Sequence, residues 1–206
     1  MTILARLGWT IALLLPLSVQ AGSGLLGLDR PVPLDDHGIW ARRNQLALLD
    51  LMLIGEAGVA AWEGGESRLG RTFWQSIDAT VAGGVASEVL KYSFSRARPS
   101  QTDNPNEWFQ GSGHQSFPSG EVTVTSAIVT PLVLEYGADH PSVWLLEALT
   151  IYDAIGRVKV HGHWQSDVIA GFALGTAVGY YVHGRKQTPW VLSVMPHGIY
   201  IGLKTH

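Results

Sequence analysis

The chain has 206 residues and no cysteine, and its formal net charge is −3. This length is sufficient for one domain with a sizeable core, and the lack of cysteine excludes disulfide scaffolds and thiolate metal sites. The negative charge gives no basic footprint, so a nucleic-acid partner is not expected. Only 15% of the residues are charged, whereas 46% are hydrophobic and glycine occurs 24 times. This composition favours closely packed helices or a protein at a membrane.

The first 21 residues have the pattern of a secretory signal peptide. Arg6 precedes an apolar run over residues 7–17, and Ala21 ends a small-x-small cleavage site. We therefore expect cleavage after Ala21 and a mature protein in the periplasm or cell envelope. The alternative is a retained membrane anchor, although the apolar run is short for a helix that crosses a bilayer.

Five helices are expected after an irregular leader at residues 22–34. Hydrophobic periodicity and capping signals place them at about 39–62, 68–94, 118–136, 142–160 and 166–184. Asp35 and Asp36 are candidate caps for the first helix. The polar segment 100–117 predicts a long loop, and long loops in compact domains are often functional.

The C-terminal tail changes from helical to strand periodicity. Apolar residues alternate over 199–203, and residues 190–195 are a candidate partner strand for a short β-hairpin. We predict one all-α domain, a bundle of about five to six helices over residues 22–187. A short extension with the hairpin follows at 188–206.

Three cationic side chains are candidates for binding phosphate oxygens: Lys91, Arg98 and Arg157. Lys91 and Arg98 are seven residues apart, nearly two helical turns, so they share a face if helical geometry persists. The fork-shaped guanidinium of arginine suits bidentate contact with phosphate. Taken alone, such residues at a helix end are more often solvated surface groups.

A natural anion cradle is expected where the third helix begins, at Pro118-Ser119-Gly120. Ser119 occupies the N-cap position, so its hydroxyl and the first free N–H groups of the helix are available to an anion. Gly120 lets an oxygen atom approach the backbone. The same tripeptide is also typical of an ordinary helix start.

Candidate catalytic residues follow in the sequence His161-Gly-His163, with Asp167 four residues after the second histidine. A neutral ring nitrogen of His163 would attack phosphorus, and Asp167 would accept a hydrogen bond from the other ring nitrogen. His-x3-Asp is also typical of a surface pair or a helix cap. Two histidines without a further carboxylate or cysteine set are weak evidence for a zinc site, so no metal site is predicted.

In this order, the three motifs resemble the signature of the type 2 phosphatidic acid phosphatase superfamily. That superfamily also contains bacterial class A acid phosphatases and vanadium haloperoxidases. Its signature is Lys-x6-Arg-Pro, then Pro-Ser-Gly-His, then Ser-Arg-x5-His-x3-Asp. Here the first motif is complete at Lys91, Arg98 and Pro99. The second ends in Glu121 instead of histidine, and the third begins with Gly156 instead of serine.

The resemblance implies a helical bundle of the acid phosphatase and vanadium haloperoxidase type, and a metal-independent phosphatase without a cofactor. His163 is then the nucleophile that forms a phosphohistidine, and Asp167 is its partner. Phosphate binding is assigned to the matched residues Lys91, Arg98, Ser119, Gly120 and Arg157. The expected substrate is a phosphomonoester or diphosphate. Trp108 and Phe109 in the long loop make a lipid phosphate, and with it a membrane surface, plausible.

Glu121 replaces the residue that serves as the general acid in this family, and three alternatives stay open. Glu121 itself donates the proton, which requires a pKa raised from about 4.3 and predicts an acidic optimum or good leaving groups. His114, in Ser112-Gly113-His114, takes over the role. Otherwise the chain is a catalytically impaired phosphate-binding envelope protein. A haloperoxidase is a further rival, because the same cradle holds vanadate in related enzymes.

Overall fold

The computed structural model describes residues 24–185 and the backbone of two strands, Trp190–Met195 and Gly198–Leu203. Its α-helices are α1 (Arg42–Glu63), α2 (Arg68–Phe94), α3 (Gly120–Tyr136), α4 (Glu147–Lys159) and α5 (Gln165–Gly184). The strands, β1 and β2, pair antiparallel with Trp190 opposite Leu203. The predicted all-α fold is confirmed, while the expected signal peptide lies outside the described residues.

Two helices begin later than the sequence predicted. A 3₁₀ turn, Gly38–Trp40, precedes α1, and the Asp36 carboxylate reaches over it to accept a hydrogen bond from the Arg42 amide at 2.5 Å. Another 3₁₀ segment, Pro141–Leu146, precedes α4. The apolar pattern continues through both turns, so periodicity alone does not separate a tight turn from the first turn of an α-helix.

Helix α3 forms the centre of the bundle and packs against α5 on one side and α2 on another. Every residue from Val122 to Val133 is buried except Val124, which is half-buried. One core cluster joins α3 to Met52 of α1, and a second joins Val122 to Val168 and Phe172 of α5. The first turn of α3, next to the predicted anion cradle, is thereby held against α4 and α5 through Val122.

Glycines let α5 pack directly against the backbone of α3. Gly171, Gly175 and Gly179 recur every four residues and so lie along one face of the helix. A Cβ atom on Gly171 would lie 2.5 Å from the carbonyl oxygen of Ser119, and one on Gly175 would overlap the carbonyl oxygen of Thr123. This close approach holds the first turn of α5 beside the start of α3.

We expect Gly175→Ala to lower the free energy of unfolding by about 1–3 kcal/mol, because the added methyl group forces the two helices apart. Urea denaturation measures this change. Gly84→Ala is the matched control, since a Cβ atom at that helical position meets no atom within 4 Å. The control is expected to stabilise the protein by about 0.5–1 kcal/mol. Similar effects of the two substitutions would contradict the packing role of Gly175.

Candidate active site

The three motifs meet at the N-terminal ends of α3 and α5. Lys91 of α2 lies over Gly120, so closely that a Cβ atom on this glycine would be 2.6 Å from Nζ. The amide of Ser119 donates to the carbonyl oxygen of Asp167 at 2.9 Å, which joins the second motif to the third. Within the third motif, the amide of His163 donates to the carbonyl oxygen of Arg157 at 3.2 Å.

The cations of this cradle are largely buried, and some donors are still available. Arg98 donates through Nη2 to the carbonyl oxygen of Gln115 at 3.2 Å, while Lys91 pairs with Glu88 at 2.5 Å. Among the described residues, the Ser119 hydroxyl and Arg157 Nε are buried without a hydrogen-bond partner. Buried donors normally find partners, and a tetrahedral oxyanion would satisfy these two.

His163 is held in the tautomer that a nucleophile requires. Its ring is buried, and Nδ1 lies 2.7 Å from the carbonyl oxygen of Ser116. A carbonyl oxygen only accepts, so Nδ1 carries the proton and Nε2 keeps its lone pair. Burial lowers the pKa of His163 to about 4, even though Asp167 opposes this effect. The ring is therefore neutral at pH 7.

Asp167 contributes charge and positioning rather than a direct hydrogen bond to the ring. Its Oδ2 lies 3.8 Å from His163 Nδ1, and it accepts instead from the Ser116 hydroxyl and, at 2.9 Å, from the Trp164 amide. Its Oδ1 accepts from Arg96 Nη1 at 2.5 Å. Burial opposes ionisation, but the Arg96 guanidinium and the Ser116 hydroxyl stabilise the carboxylate and hold the pKa of Asp167 below its usual value. The same carboxylate thus caps α5 and faces the imidazole.

Glu121 is bound by two arginines in this structure. Arg42 donates to both of its carboxylate oxygens, at 2.6 and 2.7 Å, and Arg157 Nε lies 3.6 Å from Oε1. Burial alone would raise the pKa of Glu121, but Arg42 and Arg157 outweigh burial and lower it. The carboxyl group is therefore ionised as it stands, and it donates a proton only if these cations are drawn away.

The glycine at position 156, where the family has serine, is accounted for by Gln45. A Cβ atom on Gly156 would lie 2.8 Å from the Gln45 side chain, so the amide fills the space of the missing side chain. Oε1 of Gln45 accepts from Arg42 at 3.3 Å and from Arg157 at 3.5 Å. The glutamine therefore helps to position the arginine that the serine precedes in the family motif.

The other two histidines near the motifs have different surroundings. His161 Nε2 lies 2.7 Å from the carbonyl oxygen of Val32, and a small cleft of about 20 Å³ is lined by both His161 and His163. His114 lies in the long loop, and its buried Nδ1 has no hydrogen-bond partner in the described part of the chain. Within residues 24–185, no group of three or more His, Asp or Glu side chains is placed to hold a metal ion.

Four residues at this site were missed by the sequence-based predictions: Arg42, Gln45, Arg96 and Ser116. Arg42 and Gln45 lie three residues apart on one face of α1, a helix whose sequence shows only hydrophobic periodicity. Arg96 lies inside the first motif, where the pattern leaves its identity open. Their roles depend on contacts across the fold, which sequence spacing does not encode.

A family model described as the PAP2 superfamily matches residues 73–190, more than half of the chain. The chain belongs to the PAP2 superfamily. The resemblance seen in the three motifs is thereby confirmed. A computed match to a solved structure, the transmembrane PAP2 type phosphatidylglycerolphosphate phosphatase from Bacillus subtilis, has a TM-score of 0.54 at 20% identity. It covers 72% of this chain and 77% of that chain, and it supports the fold.

Two relatives match this chain at higher identity over shorter stretches. The chain is 36% identical over 107 residues to a lipid A 1-phosphatase from Porphyromonas gingivalis, covering 50% of this chain and 21% of that protein. It is 31% identical over 97 residues to an undecaprenyl-diphosphatase from Sulfolobus acidocaldarius, covering 47% and 46% respectively. The chain thus spans less than half the length of these two relatives.

A buried acid lies one helical turn before Arg157. Asp153 is 1% exposed, and neither of its carboxylate oxygens has a hydrogen-bond partner among the described residues. Burial, reinforced by the negative charge of Glu121, raises the pKa of Asp153 to about 7. This carboxyl group is therefore protonated in the folded protein at pH values where an unfolded chain would ionise it.

This difference makes stability depend on pH. Between about pH 4 and pH 7 the unfolded chain loses the Asp153 proton while the folded protein keeps it, so the free energy of unfolding falls as pH rises. We expect Asp153→Asn to reduce this fall by on the order of 2–4 kcal/mol. Urea denaturation at pH 4.5 and at pH 8, which together span most of this range, measures the fall in the free energy of unfolding. The exposed Asp50→Asn is the control, and equal pH dependence in both variants would contradict the assignment.

Proposed function

We propose that this protein is a metal-independent phosphatase that hydrolyses a phosphomonoester or diphosphate through a phosphohistidine on His163. The observation that carries the proposal is the neutral, buried imidazole, with its Nδ1 proton bound to the Ser116 carbonyl oxygen. It lies on the connection that follows Arg157, whose buried Nε makes no hydrogen bond to the described residues, and beside the start of α3 with the Ser119 hydroxyl. A nucleophile, cations and hydroxyl donors are the parts that phosphoryl transfer needs.

The reaction has two displacements at phosphorus. First, Nε2 of His163 attacks in line, the N–P bond forms, the P–O bond to the leaving group breaks, and the leaving oxygen takes a proton. Water then attacks phosphorus and loses a proton to the group that protonated the leaving oxygen, the N–P bond breaks, and inorganic phosphate is released while the ring returns to its neutral form. Lys91, Arg98, Arg157, Ser119 and the amide of Gly120 would bind the equatorial oxygens, whose charge must be stabilised in both steps.

Glu121 would supply the proton to the leaving group once substrate is bound. A phosphate dianion in the cradle competes with the Glu121 carboxylate for Arg42 and Arg157, and its own charge raises the pKa of that carboxyl group. The low pKa of His163 keeps the nucleophile neutral well into the acidic range. An acidic pH optimum for hydrolysis is therefore compatible with His163 as the nucleophile and with Glu121 as the general acid.

A phosphorylated lipid is the substrate class that the surface favours. Helix α1 is long and apolar enough to cross a bilayer by length and composition, and it is the one such helix in the described ranges. Large apolar side chains are exposed on α1, on α2 and in the long loop: Leu51, Ile54, Trp62, Val81, Val85, Val89, Tyr92 and Phe109. The relatives named above are a lipid A 1-phosphatase and an undecaprenyl-diphosphatase. We propose a periplasmic or envelope protein that meets its substrate at a membrane surface.

A catalytically impaired phosphate-binding protein is the second candidate, and the closed Arg42–Glu121 pair favours it. If this pair does not open, the leaving group receives no proton and the cradle only binds anions. Vanadate affinity without turnover of lipid phosphates, prenyl diphosphates or nucleotides, in or out of detergent, would support this candidate.

The nucleophile is tested by His163→Ala. We expect hydrolysis of p-nitrophenyl phosphate to fall at least about 10³-fold, because no other group in the cradle forms the N–P bond. Quenching with alkali after labelled substrate is mixed with the wild-type protein should trap an acid-labile, base-stable phosphoenzyme. His161→Ala is the control, and it should retain both the turnover of p-nitrophenyl phosphate and the trapped phosphoenzyme. Retained turnover in folded His163→Ala would overturn the proposal.

The general acid is tested by comparing leaving groups. We expect Glu121→Gln to slow hydrolysis of an alkyl phosphate by on the order of 100-fold more than that of an aryl phosphate, because an alkoxide needs the proton more. Glu121→His, which restores the family motif, should retain alkyl ester hydrolysis. His114→Ala is measured in parallel. If the alkyl-specific loss occurs in that variant instead, the acid is His114.

A further inference from the structure

The leader before α1 binds along the segment that carries His163. The side chain of Gln165 exchanges hydrogen bonds with the backbone of Arg30, at 3.0 and 2.9 Å. Further along, the amide of Asp35 donates to the carbonyl oxygen of Lys159 at 3.0 Å. The leader thus contacts both ends of the α4–α5 connection, although the sequence predicted only an irregular segment there.

Within this leader, Asp29 is fully buried and paired with a fully buried arginine. Its Oδ2 lies 2.6 Å from Nη2 of Arg96, and its Oδ1 accepts from the amide of Ser166 at 2.8 Å. Gly24 packs so closely against the carboxylate that a Cβ atom there would overlap it. The pair is therefore held by the backbone of both the leader and α5.

Arg96 connects Asp29 to the catalytic carboxylate. Nη1 of Arg96 binds Asp167 at 2.5 Å and the Ser166 hydroxyl at 2.7 Å, while Nη2 and Nε bind the carbonyl oxygen of Pro105 at 2.6 and 3.1 Å. The guanidinium also lies 4.3 Å from the ring centroid of Trp108. All three charged side chains are fully buried, so water does not screen them.

We propose that Asp29 is a positioning residue for the nucleophile, which it influences through Arg96 and Asp167. The inference rests on the proposed function, because it concerns the step in which His163 takes the phosphoryl group. It assigns the leader, which lies outside the three motifs, to the reaction apparatus.

The physical reason is the net charge that the imidazole faces. When Nε2 binds phosphorus and Nδ1 keeps its proton, the ring becomes cationic. Asp167 alone would stabilise this cation, but Arg96 cancels its charge from the other side. Asp29 cancels Arg96 in turn, so two carboxylates and one guanidinium leave one net negative charge, whose nearest oxygen is 3.8 Å from Nδ1. Without Asp29, the ring would face a neutral group.

The alternative is that the buried pair only stabilises the fold. Removing one partner of a buried ion pair is strongly destabilising wherever the pair lies, because a charge is left without compensation. A stability measurement therefore does not separate the two roles. The rate of the chemical step, measured on protein that is shown to be folded, does separate them.

The experiment measures kcat and KM for p-nitrophenyl phosphate, together with thermal unfolding, in Asp29→Asn. We expect kcat to fall by on the order of 10- to 100-fold while KM changes less than about threefold, because the ring cation forms only after binding. Asp35→Asn is the matched control. It removes another leader carboxylate, which pairs with Lys159 at 3.3 Å on a partly exposed surface, and it should leave kcat unchanged.

A double variant that removes both charges of the pair provides a second test in case Asp29→Asn does not fold. Asp29→Asn/Arg96→Gln removes both charges together and again leaves the ring facing one net negative charge, so its kcat should exceed that of Asp29→Asn. Wild-type kcat in folded Asp29→Asn, or a double variant no faster than that single variant, would overturn the inference. Because His163→Ala is assayed alongside, failure of the proposed function appears separately, as unchanged turnover in that variant.

Discussion

The Asp167 carboxylate is the group on which the arrangement of the site depends. It caps α5 through the Trp164 amide, binds Arg96 and Ser116, and lies beside the imidazole of His163. The backbone carbonyl oxygen of Asp167 accepts a hydrogen bond from the Ser119 amide at the start of α3. One buried residue therefore joins the loop after α2, the N-terminus of α3 and the proposed nucleophile, His163. Burial makes each of these contacts stronger than it would be in water.

The two residues that depart from the family motifs, Glu121 and Gly156, both contact side chains of α1. Glu121 is bound by Arg42, and the space beside Gly156 is filled by Gln45, one helical turn further along. The cradle thus has an additional cation and an internal carboxylate that competes with phosphate for it. Under the proposed mechanism, substrate must displace this ion pair before Glu121 can donate its proton, which links binding to the acid step.

Much of the fold and part of the site followed from local patterns. Each predicted helix exists, because hydrophobic periodicity and caps act over a few residues and survive tertiary packing. The helix starts at Arg42 and Glu147 were misplaced, since a 3₁₀ turn carries the same pattern. Ser119, Arg157 and His163 were predicted as site residues from their spacing, and the fold brings their segments together. Asp29, by contrast, acts across the fold, and the leader around it carries no local signal of its role.

The sequence by itself determined the family and the all-α class, and it predicted the residues of a phosphate site, because all of these depend on spacing along the chain. Only the tertiary structure decided their charge states. Arg42 keeps Glu121 ionised, and burial keeps His163 neutral. The tertiary structure also decided that Arg96 pairs with both Asp167 and Asp29, two carboxylates distant in sequence. Electrostatic energies depend on distance and burial in space, and neither quantity can be read from the order of residues.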